Sequence, residues 1–143
     1  MSRPDLAREP LTLLLALALG LGNAGCGKFR EISACRGVER EVNTAVDEIE
    51  ALARAKPIDE VRIAKRYAAL AQALQPRSVG EKPLALAVRD YIVILRATET
   101  TLKNHIEASK LQYGRPNEPR RELERLVKRE HAAAARLDVE CHN

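Results

Sequence analysis

Residues 84–109 read LALAVRDYIVILRATETTLKNHIEAS. Within them Leu84, Val88, Tyr91, Leu95, Thr98, Leu102, His105 and Ser109 recur at steps that alternate four and three. A mean spacing of 3.5 residues keeps one line of side chains on one face of a helix, which is the seam of a left-handed bundle or coiled coil. Ile92, Ile94 and Ile106 beside that line widen it to the broader apolar face of a bundle helix. The pattern predicts a helix from Glu81 to Tyr113, with Leu95 near the middle of its buried face and Arg96, rotated about 100° away, in solvent.

The sequence on either side continues in the same style. Upstream, Ile32, Cys35, Val38, Val42, Val46, Ile49 and Leu52 or Ala53 recur at three- and four-residue steps and predict a helix over about 30–55. Pro57 can open a second helix, about 58–75, striped by Ile58, Val61, Ala64, Ala68, Ala71 and Leu74 and ended at Gln75-Pro76. The stretch from Pro76 to Gly80 reads as a loop. Downstream, Gly114 to Pro119 stops the third helix with a glycine and two prolines, and a last helix over about 119–140 offers Leu123, Leu126, Val127, Ala133, Ala134, Leu137 and Cys141 to the core. Four helices joined by short loops predict an all-α, antiparallel up-down-up-down four-helix bundle, with a three-helix variant as the alternative.

Composition supports this class and excludes others. The chain has 143 residues, 45% of them hydrophobic, 31% charged and only 3% aromatic, with no Trp. That is one domain's worth of sequence with enough Leu, Ile, Val and Ala for an aliphatic core, and too few aromatic rings for base-stacking platforms. The net charge of +4 is mild. In the last helix Arg120, Arg121, Arg125, Lys128 and Arg129 alternate with Glu118, Glu122, Glu124 and Glu130, including a Glu124–Lys128 pair at i,i+4, so the run reads as a solvated face rather than a nucleic-acid surface.

The N-terminal residues carry a different message. Leu11 to Leu21 is a run of eleven residues, apolar but for Thr12 and with Gly20 near its end, preceded by Arg3 and Arg8 and followed by Gly22, Ala24 and Gly25. As a helix it would reach about half of the ~30 Å hydrocarbon core, so it has the layout of a secretory signal rather than of a spanning segment. The run ends in Asn23-Ala24-Gly25-Cys26, which resembles the lipobox of bacterial lipoproteins, with Asn23 standing where that family usually has an aliphatic residue. The resemblance implies a signal peptide over 1–25, a lipidated Cys26 carrying thioether-linked diacylglycerol and an N-acyl chain such as palmitate, a tether over 26–30 and a bundle domain over 31–143. Gly27 in place of Asp after the cysteine implies the outer membrane, facing the periplasm or the cell surface. Ordinary cleavage near Ala24, giving a secreted, unlipidated bundle, is the alternative.

With Cys26 assigned to the lipid, Cys35 and Cys141 remain as an even pair, and in an oxidising compartment they predict a disulfide closing a loop of about a hundred residues. The predicted topology places the start of the first helix and the end of the fourth at one end of the bundle, which is where these cysteines fall. A zinc site is not expected, since there is no CxxC and no pair of His at ligand spacing. Cys141-His142 lacks the earlier cysteine of a haem attachment motif, Asp138 standing in its place, and the di-iron pattern fails at Leu102 and Lys128, so no cofactor is expected. His105 and Ser109, four apart, could in principle act as base and nucleophile, but the bland reading as polar seam residues is stronger. The sequence thus predicts a non-enzymatic protein, anchored to the membrane through lipid and meeting an envelope protein or cell-wall polymer, with no nucleic acid; a ligand- or cofactor-carrying secreted bundle is the alternative.

Overall fold

A computed structural model describes residues 9–111 and 117–142, with side chains over 30–111 and 120–142. Its order is helix α1 (Glu9–Arg54), helix α2 (Glu60–Leu74), a 3-10 turn (Gln75–Ser78), helix α3 (Pro83–Lys110) and helix α4 (Asn117–His142), with no strand among the described residues. The backbone forms two compact units, Met1–Ala34 and Cys35–Asn143. The described part of the first is helix, from Glu9 onward. The second is the four-helix bundle.

Cross-helix pairs set its topology. Glu48 of α1 meets Arg66 of α2, Glu60 of α2 meets His105 of α3, Asp90 of α3 meets Arg136 of α4, and Cys35 of α1 is bonded to Cys141 of α4. The start of α2 faces the end of α3 and the start of α3 faces the end of α4, so these helices are antiparallel, and the disulfide closes α4 back on α1. This is the up-down-up-down bundle that four helices joined by short loops predict.

Helix α3 is the element on which the core is assembled. Val88, Tyr91, Leu95, Thr98 and Leu102 are all buried, as are Ala85, Ala87, Ile92 and Ile94 beside them. The seam departs from full burial at its first and last positions, Leu84 and His105 being half-buried and Ser109 exposed. The helix starts at Pro83, two residues later than expected, because the ring fixes the first-turn φ and Pro has no N–H to leave unpaired. Gly80 precedes it at φ 111°, a conformation that Cβ-bearing residues rarely adopt. Arg89 donates to the carbonyls of Ser78 and Gly80, both at 3.1 Å, and so ties this connection down.

Helix α2 departs from the expected stripe. Its buried residues are Ile63, Ala64, Tyr67, Leu70, Ala71 and Leu74, whereas Ile58 and Val61 are 55% and 48% exposed. The reason is the start signal. Asp59, not Pro57, caps the helix, accepting from the backbone N–H of Arg62 at 3.0 Å, so Ile58 lies outside the helix and the face is set by Ile63 and Tyr67. In α1 the fully buried positions are Val38 and Ala45, with Val42, Ile49 and Leu52 packed against them, while Val46 is half-buried. Gly37 is also buried, and a Cβ there would lie 2.5 Å from the Arg77 guanidinium, so its lack of a side chain lets Arg77 lie against α1. In α4, Leu126 and Leu137 are buried and Leu123, Ala133 and Ala134 flank the core, but Val127 is 41% exposed. The expected break over 114–119 lies outside the described residues up to 116, and α4 begins at Asn117.

Cys35 and Cys141 are joined, with their Cα atoms 5.4 Å apart and a separation of 106 positions in sequence. In the chain-entropy picture a loop of that size removes up to about 4.7 kcal/mol of freedom from the unfolded chain. Non-reduced peptide mapping should recover these two cysteines linked, and Cys35→Ser with Cys141→Ser should lower the urea midpoint without changing the helical signal. Recovery of both as free thiols in exported protein would contradict the staple.

Leu95 is fully buried and Arg96 is exposed, its guanidinium donating to the Gln75 side chain at 2.9 Å. Leu95→Ala should cost about 2–5 kcal/mol and Arg96→Ala about 0.5 kcal/mol, read from urea unfolding of the two variants side by side. Equal losses would mean that the face of α3 is assigned wrongly.

Candidate functional site

The core carries one ionisable constellation. Glu130 of α4 is only 8% exposed, and its carboxylate accepts from the hydroxyls of Tyr67 (α2) at 3.2 Å and Tyr91 (α3) at 3.4 Å. Three helices thus meet through one carboxyl group. Each tyrosine sits on the apolar face of its own helix, Tyr67 in the line Ile63, Tyr67, Leu70, Leu74 and Tyr91 in the line Val88, Tyr91, Leu95, so both hydroxyls are delivered to the interior by the same periodicity that builds the core.

The electrostatics follow from burial. Removal from water raises the Glu130 pKa above its ordinary 4.5, and that outweighs the two tyrosine hydrogen bonds, which favour the charged form. Both tyrosines are pushed above their ordinary 10.0, first by burial and then by the neighbouring carboxylate. The set therefore holds protons rather than releasing them. Its three buried polar groups satisfy one another, and the neighbouring His131 adds a smaller electrostatic influence that lowers the Glu130 pKa.

This is where the sequence reading needs its main correction. Glu130 was expected on the solvated face of the last helix, and it lies inside because its position continues the buried line Leu123, Leu126, Glu130, Ala133, Leu137 at steps of three, four, three and four. The spacing was the available signal. The other described charges of that run lie at the surface or half-buried, but the pairing differs from the expected Glu124–Lys128: Glu124 meets Arg120, and Arg125 meets Glu122.

His105 and Ser109 do not form a base–nucleophile pair. The Ser109 hydroxyl donates to the main-chain carbonyl of His105 at 2.8 Å, the usual local bond of a helical serine, and the imidazole Nε2 faces Glu60 at 3.7 Å. Asp90 is engaged by Arg136 at 2.9 Å on the rim of a recess of about 420 Å³ between α3 and α4, floored by Ala87, Val93, Ile94 and Ala133. Cys26 lies outside the residues whose side chains are described.

A second cluster stands at the disulfide end. His142 Nδ1 lies 2.8 Å from the main-chain oxygen of Asp138 and 3.3 Å from its carboxylate, while Nε2 lies 3.8 Å from Glu39 of α1. The bond to the Asp138 carbonyl, then the two carboxylates, raise the His142 pKa. Reading the sequence for paired His or Cys missed this group, because it is assembled across two helices and contains a single His. Among the described residues no helix is long and apolar enough to cross a membrane. The chain matches no known family model, no curated protein and no solved structure.

Glu130→Gln tests the buried set, since Gln cannot ionise but can still bond both hydroxyls. A raised folded-state pKa means that the wild-type carboxyl contributes fully below 4.5 and loses that contribution as pH rises through the raised value. Urea unfolding at pH 4 and pH 8 should show the variant gaining on the wild type at the higher pH. A difference that does not change with pH would show that burial does not raise the Glu130 pKa.

Proposed function

We propose that the chain is an exported, lipid-anchored helical bundle of the bacterial cell envelope, held to its membrane through Cys26 and serving a structural or partner-binding role on the periplasmic side of the outer membrane or at the cell surface. The observation that carries this reading is the order of features along the chain: basic residues, a largely apolar run of eleven, small residues, Cys26, and then a bundle whose two remaining cysteines are bridged. A disulfide is a feature of oxidising compartments and is rare in cytosolic chains, so the Cys35–Cys141 bond supports export independently of the N-terminal pattern. Acyl chains contribute about 0.8 kcal/mol per buried methylene, and two or more chains suffice for stable anchoring.

The reading assigns no catalysis to the bundle. Its buried ionisable group is saturated by two tyrosine hydroxyls, and the mild excess of +4 suits weak attraction to anionic head groups or envelope polymers alongside a protein partner. Asn23 favours a second reading, a secreted bundle cleaved near Ala24 without lipid.

One substitution separates the two. In a bacterial host, the wild type should enter the detergent phase on phase partition and incorporate labelled palmitate, and Cys26→Ser should move to the aqueous phase without label. A wild type that is already aqueous and unlabelled would replace the anchored reading with the secreted one.

A further inference from the structure

We propose that Glu39, Asp138 and His142 form a binding site for a divalent first-row transition cation, with Zn²⁺ the best fit, at the disulfide-linked end of the bundle. The proposal goes beyond the anchored reading and does not depend on it. The three residues offer one imidazole nitrogen and two carboxylate oxygens, all within 4.8 Å of one another. Ligand atoms about 2.1 Å from a tetrahedral zinc ion stand about 3.4 Å from one another, so the set has to close by up to about 1.4 Å. The Glu39 and Asp138 side chains are 38% and 73% exposed, and rotation of these two carboxylates supplies that movement while the imidazole stays in place.

The backbone beneath them is held. Asp138 and His142 are four apart on one face of α4 and flank Cys141, and Glu39 lies one turn after Cys35 on α1, so the disulfide fixes the two helices at the level of the site. The imidazole is oriented as well. A main-chain carbonyl can only accept, so the 2.8 Å contact with Asp138 puts the proton on Nδ1 and leaves the Nε2 lone pair facing the Glu39 carboxylate. A second hydrogen bond that fixes the tautomer is the usual arrangement of a metal-binding histidine. Glu39 and Asp138 also line a recess of about 170 Å³ with Asn43, leaving room for water on the remaining positions of the ion.

The donor set selects the class of cation. Mg²⁺ and Ca²⁺ take oxygen ligands, whereas an imidazole with carboxylates suits Zn²⁺ and its neighbours in the first row. Two carboxylates match the charge of a divalent ion, and three protein ligands leave a site open to solvent.

The test uses the full-length, untagged, oxidised chain in detergent micelles at pH 7.5. Zn²⁺ is titrated by calorimetry and Co²⁺ by its visible absorption. The expected result is one site with a dissociation constant on the order of micromolar, unaffected by a hundredfold excess of Mg²⁺. His142→Gln and Glu39→Gln should each weaken binding at least about tenfold, while His131→Gln, an exposed histidine elsewhere on α4, should bind like the wild type. Circular dichroism of each variant separates loss of the site from loss of the fold. Absence of saturable binding below millimolar Zn²⁺ would overturn the proposal, and so would binding that persists undiminished in folded His142→Gln and Glu39→Gln.

Discussion

Helix α3 cannot be stable unless its apolar face is covered, and the bundle is the means of covering it. Nine of its residues are buried, and they lie against α2, the 3-10 turn and α4. A core whose buried aromatic rings, among the described residues, are Tyr67 and Tyr91 gains most of its stability from many small aliphatic contacts. Ala45, Ala64, Ala71, Ala85 and Ala87 are buried alongside the leucines, and such short side chains let the helix axes approach closely and bring the larger Leu70, Leu74, Leu95 and Leu126 into contact. Such packing is apolar and nearly without direction. By itself it would tolerate a helix shifted by a turn.

The Tyr67–Tyr91–Glu130 set removes that tolerance. A slip of α4 by one turn, about 5.4 Å, would carry the Glu130 carboxyl away from both hydroxyls and leave three buried polar groups unpaired. Each unpaired group costs about 1–3 kcal/mol, which is large against a total stability of about 5–15 kcal/mol. Burying the carboxyl is expensive even in the correct register, as its raised pKa records. The same expense makes every other register worse, so a feature that lowers stability also makes the arrangement of α2, α3 and α4 unique.

The uneven legibility of the sequence follows from the same two forces. Helix α3 could be read nearly residue by residue because its repeat is long and unbroken, so a misjudged end leaves the face unchanged. Helix α2 is half as long, and two apolar residues at its start, Ile58 and Val61, pulled the expected stripe round to the wrong side, although Asp59 already marked the true beginning. Glu130 was misplaced by its chemical type. Position alone, midway between Leu126 and Ala133 on the buried line, points inward; a glutamate in a run of alternating charges points outward, and only the two tyrosines from other helices decide between them. The Glu39–Asp138–His142 cluster is beyond a linear reading, since Glu39 is about a hundred positions from the other two and becomes their neighbour only through the closure of α4 on α1.

That closure is expected by two routes: the pairing of the two cysteines left over from Cys26, and the alternation of helix direction. Their agreement has a physical basis in where the core begins. Upstream of Cys35, Arg30 to Ser33 are exposed, Ile32 included, whereas from Cys35 onward α1 buries Gly37, Val38 and Ala45. A helix that enters a core in this way is weakest at the boundary, because its first turns have few side-chain contacts to hold them. Cys35 stands at that boundary, and its bond runs to the last turn of α4, the other place where a terminal helix would fray. One covalent link therefore secures both loose ends of the bundle, and does so at the point where any pull on the N-terminal segment enters the packed domain.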